Sequence, residues 1–142
     1  MKMNKKIENS LNLLLDTAKT LGAECTTVIA NENTSVNVAA RLGKLENVER
    51  NESSSIGLEI IDHKRKVSLS STNLNEDSLK ELANNAMNMV KSIPVDEYCG
   101  LADKEMLYNG NLDLNLVDNY VPENNNLLDN SIEAEESALN IN

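Results

Sequence analysis

Hydrophobic positions follow a helical period in two parts of the chain. Residues 5–21 repeat apolar side chains at intervals of three and four, which predicts an amphipathic helix followed by Gly22. A second helix is predicted after Asn75, its expected N-cap, and Pro94 ends it. The predicted apolar faces are Ile7, Leu11, Leu14, Leu15, Ala18 and Leu21 in the first helix and Leu79, Leu82, Ala83, Ala86, Met87 and Val90 in the second.

Between these helices the pattern changes to the two-residue alternation of β-strands. Turns are expected at the polar residues 31–33, at Gly43 and at residues 63–65. Apolar residues on one strand face and Ser, Asn and charged residues on the other indicate a sheet covered on one side. The sequence predicts a two-layer α+β fold, in which a mostly antiparallel sheet of four to five strands carries two helices on one face.

After Val95 the chain becomes acidic and rich in Asn. We predict an α+β domain at residues 1–100, and an extended acidic segment with a third helix, from Leu127 to Ile141, at residues 101–142. This helix has no obvious surface to cover within the chain.

The net charge of −10 is confined to one end of the chain. Residues 1–93 contain 12 basic and 12 acidic side chains, whereas residues 94–142 contain 1 basic and 11 acidic ones. Nucleic acids and anionic membranes are bound by basic surfaces, so neither is expected as a partner.

The N-terminal run and the two cysteines indicate the cellular compartment of the protein. The basic start is followed by an apolar run that Asn12 and Asp16 interrupt, unlike a leader peptide. Cys25 and Cys99 are expected to be buried, reduced thiols rather than a disulfide. We expect a cytoplasmic protein.

Candidate catalytic groups are few. His63 is the one histidine, and it falls in a charged turn where a solvated side chain is the better interpretation. Cys25 falls in a predicted strand without a histidine to activate it. The spacings of metal-binding and phosphate-binding motifs do not occur in the sequence. The sequence thus predicts no catalytic residue, no metal ligand and no cofactor in this chain.

Three polar runs could bind partners, and each also has a plainer interpretation. Residues 64–66 are basic but suit a charged turn, and residues 51–55 suit a polar connection. Glu133, Glu135 and Glu136 could form a recognition tail, but a solvated helix face is at least as good an explanation.

The segment RLGKLENVERNESSSIGLEII, residues 41–61, is followed by VSLSSTNL and later by PVDEYCGLADKEML. In this order the motifs resemble the N-terminal domain of the TldD/PmbA family, known as modulators of DNA gyrase and metalloproteases. The last motif is more similar to the PmbA branch, also called TldE. The resemblance extends from about Leu11 to the end of the chain. Since family members are much longer, it implies that residues 101–142 lead toward a C-terminal domain that is absent here.

The resemblance implies a non-catalytic subunit domain. Members of the TldD branch carry a zinc site in an H-E-x-x-x-H motif, which lies beyond the region compared and has no counterpart in this sequence. The PmbA branch generally lacks that site and pairs with TldD, and the complex cleaves unfolded and modified peptides. Zinc is accordingly expected in the TldD-type partner, and partnership as a heteromer or a homodimer is expected for this chain.

Arg41, Glu46, Glu49 and Arg50 are the predicted interface residues, on a sheet edge or polar face that meets the rest of the assembly. Two alternatives remain open. The chain could be a free-standing acidic interaction protein, or an idle remnant of a shortened gene.

Overall fold

A computed structural model describes residues 5–141; residues 1–4 and 142 lie outside it, and with them the start of the basic N-terminal run. The described chain contains three helices and three strands, and the strands follow one another between the first and second helices; a short 3₁₀ turn lies at Lys104–Met106. In chain order the elements are α1 (Lys5–Thr20), β1 (Cys25–Arg41), β2 (Lys44–Asp62), β3 (Arg65–Ser71), α2 (Glu76–Ser92) and α3 (Asn124–Leu139).

The chain divides into two compact units. The core unit contains the described chain up to Glu32 and the segment Ser53–Leu107. The tip unit contains Asn33–Glu52 and the described chain from Tyr108 onward. Strands β1 and β2 contribute residues to both units. The domain division predicted at residue 100 stays a prediction.

The sheet has the order β1-β2-β3, so β2 is the central strand. Strands β2 and β3 are antiparallel, with Leu58 opposite Leu69 and Ile60 opposite Val67. Each hairpin connection has two residues, and their φ angles are positive: 51° and 69° at Leu42 and Gly43, 48° and 56° at His63 and Lys64. Two successive turn residues with positive φ angles are the mark of a type I′ turn, whose twist matches that of the strands it joins.

The α+β class and the antiparallel sheet are confirmed, but the predicted count of four to five strands is not. The described residues form three strands. Strands β1 and β2 are 17 and 19 residues long, and each contains segments that were predicted to be separate, shorter strands. The predicted turn at residues 31–33 is wrong, since these residues lie inside β1. Gly43 does occupy the predicted tight turn.

The core unit encloses an aliphatic core between the sheet and two helices. Strand residues Ile56, Leu58 and Ile60 are at most 1 % exposed. Their alternation places them on one face of β2, where they share a buried cluster with α1 and α2. The helices contribute Leu14, Ala18, Leu79, Ala83, Ala86, Met87 and Val90 to this cluster. Burial of aliphatic surface is thus the main stabilising interaction of this unit.

Local sequence signals set most helix boundaries. Gly22 follows α1 with φ 90°, the left-handed conformation that glycine adopts readily. Asn75 occupies the N-cap of α2, but its side chain makes no capping hydrogen bond. The side chain of Asn73 instead accepts a hydrogen bond from the backbone N–H of Asn75 (3.1 Å). Leu15, predicted on the buried face of α1, is 39 % exposed.

The third helix forms near its predicted position, from Asn124 to Leu139. The expectation that it covers no surface is wrong, since α3 contacts β1 within the tip unit. None of the helices in residues 5–141 has the length and apolar character needed to cross a membrane. The cytoplasmic location stays a prediction.

Candidate interaction surface

The turn between β1 and β2 lies at the centre of the tip unit. Glycine at its second position needs no explanation, because a left-handed conformation costs glycine little. Leucine at its first position is unusual, since Asn or Gly normally occupies it. The Leu42 side chain is 77 % exposed. The turn therefore presents a large apolar side chain to solvent.

A carboxylate on α3 binds the backbone of this turn. Glu135 accepts hydrogen bonds from the N–H groups of Leu42 and Gly43, one at each carboxylate oxygen and both at 2.8 Å. Paired hydrogen bonds to an ionised group are stronger and more directional than neutral ones. Glu135 thus fixes α3 to the end of the hairpin.

This contact changes the ionisation of Glu135. The pKa of the carboxyl lies below its ordinary value, chiefly because Gly43 N–H donates to it, with Leu42 N–H adding to the effect. Desolvation acts in the opposite direction, and the charge of Arg41 makes a smaller contribution that also lowers the pKa. Glu135 is consequently held in its charged form.

One face of α3 is half-buried, and it is the face that carries Glu135. The hydroxyl of Ser131, one turn before Glu135, shares its single proton between the carbonyl of Leu127 (2.8 Å) and the carbonyl of Val38 in β1 (3.3 Å). The half-buried residues are Leu127, Leu128, Ser131, Ile132 and Glu135. Contacts with both the strand and the turn define how α3 lies on the hairpin.

The four predicted interface residues all lie at the tip and are exposed. Arg41 and Glu46 form an ion pair across the turn, with Nη1 and Oε1 3.4 Å apart. Arg50 pairs instead with Glu52, which the prediction did not include; its Nε and Nη2 lie 2.9 and 2.6 Å from the same carboxylate oxygen. Their role as an interface stays a prediction.

Apolar side chains accompany these charges. Leu45 and Val48 on the first half of β2 are 52 % and 42 % exposed, next to the exposed Leu42. The structure thus combines apolar and charged groups on the tip, the mixture found in protein interfaces with a polar rim. The sequence had indicated the charges but not this apolar component.

The basic run at residues 64–66 is engaged largely within the core unit. Arg65 donates to the carbonyl of Ile93 (2.9 Å), and Lys66 forms an ion pair with Glu59 (2.8 Å). The pKa of Glu59 is lowered mainly by the hydrogen bond from Lys66, against the opposing effect of burial. The carbonyl of Lys64 accepts from Asp96 N–H (2.9 Å). A binding role for this run gains no support.

The two cysteines are free thiols, as predicted, but each is half-buried rather than buried. His63 lies in the β2–β3 turn with its side chain 70 % exposed, which agrees with the expected turn position. Glu135 is the tip residue whose contact the sequence did not indicate, since a solvated helix face and a recognition tail were the two interpretations considered for it. Its partners are 92 and 93 residues away, and no local pattern indicates such a contact.

Comparison with known proteins gives this fold a family. Residues 27–90 match the family described as "PmbA/TldA metallopeptidase domain 1". Metalloprotease PmbA of Escherichia coli O157:H7 is 32 % identical over 105 residues, which are 72 % of this chain and 23 % of that protein. A metalloprotease PmbA homolog of Haemophilus influenzae is 24 % identical over 103 residues, with the same two shares covered.

Two solved structures share the fold at lower identity. A proposed modulator of DNA gyrase from Bacteroides thetaiotaomicron superposes with a TM-score of 0.69 at 18 % identity, covering 78 % of this chain and 25 % of that one. TldE from Thermococcus kodakarensis superposes with a TM-score of 0.52 at 14 % identity, and the match covers 65 % of this chain and 20 % of that one.

These matches agree with the motifs quoted from the sequence. The chain carries the first, N-terminal domain of the TldD/PmbA family, and the resemblance is confirmed. Its matched region spans about a quarter of the length of the curated relatives, at 23 % of each.

Proposed function

We propose that this chain is the N-terminal domain of a PmbA/TldE-like subunit that is itself non-catalytic. The subunit pairs with a TldD-type zinc metalloprotease, and the pair processes unfolded and modified peptides. The observation that supports this most strongly is the 32 % identity to metalloprotease PmbA. The absence of metal-binding and nucleophile motifs from the sequence is the reason for assigning the chemistry and the zinc to the partner.

The tip unit is the proposed contact surface. Strand β1 is at the edge of the sheet and is 17 residues long, so its backbone can pair with a further strand. Arg41, Glu46, Glu49 and Arg50 provide charges beside this edge, while Leu42, Leu45 and Val48 provide apolar area. Glu135 supports this arrangement because it holds the β1–β2 turn, which contains Leu42 and directly follows Arg41.

A binding measurement tests both the pairing with a TldD-type protein and the role of the tip unit as the contact surface. The complete chain is passed over an immobilised TldD-type protein, beside an Arg41→Glu/Arg50→Glu variant. We expect the unchanged chain to bind, and the variant to bind at least tenfold more weakly, because like charges brought together at an interface cost more than the roughly 1.4 kcal/mol that corresponds to tenfold.

A Lys5→Glu/Lys19→Glu variant is the matched control, since it changes the net charge equally at exposed positions of α1. If both variants bound equally weakly, the loss of affinity would be due to overall charge, and the proposal that the tip is the contact surface would be wrong. If the unchanged chain failed to bind, pairing would depend on parts of longer family members, and the proposed partnership of this domain would be lost.

A further inference from the structure

Glu24, Asp62 and His63 converge at one end of the core unit. Glu24 immediately precedes β1, Asp62 is the last residue of β2, and His63 is the first residue of the β2–β3 turn. One imidazole nitrogen and one oxygen from each carboxylate all lie within 4.8 Å of one another. Sequence reasoning considered His63 alone, since Glu24 is 39 residues away.

The spacing of these atoms suits a small metal ion. His63 Nδ1 lies 3.1 Å from Asp62 Oδ2 and 3.6 Å from Glu24 Oε1. Ligands bound tetrahedrally at about 2.0–2.2 Å from zinc are separated by roughly 3.3–3.6 Å. The three atoms can therefore share one ion with small side-chain adjustments, which leaves a fourth position for water.

Burial of Asp62 is an independent indication of a ligand. Its side chain is only 9 % exposed, and an isolated buried carboxylate is energetically costly. The side-chain partner that the described residues give Asp62 is His63, whose Nδ1 lies 3.1 Å from Asp62 Oδ2, and this contact lies within the cluster itself. A carboxylate buried to this extent, without a donor outside the cluster, is a group that a cation would satisfy.

Glu24 is already oriented for such a role. Its Oε2 accepts a hydrogen bond from the backbone N–H of His63 (2.9 Å), which leaves Oε1 directed toward the imidazole. Metal-binding carboxylates are commonly fixed in this way by a hydrogen bond to the other oxygen. The backbone of the turn thus positions a side chain from a distant part of the sequence.

We propose that Glu24, Asp62 and His63 form a binding site for a divalent first-row transition-metal ion of the zinc type. A nitrogen ligand with only two carboxylates favours such an ion over Ca²⁺, which takes six to eight oxygen ligands. The bound ion joins the start of β1 to the β2–β3 turn. Because it binds the folded chain, it raises the stability of the core unit by an amount that grows with the logarithm of its concentration divided by its Kd.

Zinc titration of the complete chain tests the site. Cys25→Ser and Cys99→Ser are introduced first, because free thiols also bind zinc. His63 is the one histidine of the chain, so its imidazole resonances report binding without ambiguity. We expect one equivalent of Zn²⁺ to shift these resonances and to raise the thermal unfolding midpoint.

Two variants then identify the ligands. His63→Asn preserves the fold, because Asn tolerates the positive φ of this turn. It should lower zinc affinity at least tenfold, since even loss of an outer-shell partner costs about 10–100-fold. Glu24→Gln should weaken binding in the same direction, whereas Glu32→Gln, an equal charge change at an exposed position of β1, should leave affinity unchanged.

Two results would overturn the proposal. The first is that zinc leaves the His63 resonances unmoved while the chain is folded, which would make the cluster an ion-pair network that only orders the turn. The second is that Glu24→Gln and Glu32→Gln bind zinc equally well.

Discussion

Different interactions stabilise the interior of the core unit and the interior of the tip unit. In the core unit, aliphatic side chains of two helices and the sheet are almost completely excluded from water. In the tip unit, none of the described residues is buried, and α3 contacts the hairpin through hydrogen bonds to backbone groups. Burial gives the core unit its stability, whereas the tip unit combines a half-buried face of α3 with hydrogen bonds that Glu135 and Ser131 make to the hairpin backbone.

Loss of core volume should have the largest effect. Leu58 is 1 % exposed, and Leu58→Ala should reduce the free energy of unfolding by about 2–5 kcal/mol through lost burial and a residual cavity. Urea denaturation measures this value. Leu45→Ala is the matched control at the tip, where the side chain is 52 % exposed, and it should change stability by no more than about 0.5 kcal/mol. Similar losses from both variants would contradict the distinction between the units.

A backbone change at the tip should have a smaller and more local effect. Gly43 has φ 69°, so Gly43→Ala places a β-carbon in the left-handed region at a cost of about 1 kcal/mol. The steric surroundings do not add to this cost, since no heavy atom beyond Gly43 and its two chain neighbours lies within 4 Å of the added carbon.

Hydrogen exchange locates that effect. Amides of the β1–β2 turn should exchange faster in Gly43→Ala, while amides of α2 should be unchanged, because local opening of the tip need not involve the core. Equal acceleration in α2 would mean that the two units open as one.

Protonation of Glu135 should release the turn amides. Its folded-state pKa is lowered, so the contact contributes stability above the ordinary carboxyl range and loses it as the pH falls through the folded value. The amide proton shifts of Leu42 and Gly43 should therefore be constant near neutral pH and move together in acid. Glu135→Gln should abolish this titration, and Glu136→Gln, at the next exposed position, should preserve it. A titration that survives Glu135→Gln would assign it to another group.

Sequence reasoning succeeded where one face of an element is buried. The helical period of α2 and the alternation of Ile56, Leu58 and Ile60 arise from contact with a single core, so both could be predicted. It failed at residues 31–33, where polar side chains suggested a turn but continue β1. A strand that leaves the core no longer needs apolar residues at alternate positions, and its continuation depends on pairing with β2 rather than on its own composition.

The candidate sites were harder to predict than the fold. Charges at the tip could be read from residues 41–50, but the contact of Glu135 with the turn joins segments more than ninety residues apart. Glu24 and His63 likewise become neighbours only because β1 and β2 share a sheet. Both contacts involve a carboxylate and a backbone N–H, which every non-proline residue has, so the sequence carries no special signal for them.

The distance along the chain between Glu135 and its turn has a consequence for synthesis. A ribosome completes Leu42 and Gly43 long before it adds Glu135, 92 residues after Gly43. The hairpin must therefore bend with water on these two amides, using only the local preference of its own residues. Glu135 can replace that water only after it has itself been added, so the order in which the polypeptide is made separates the formation of the turn from its attachment to α3.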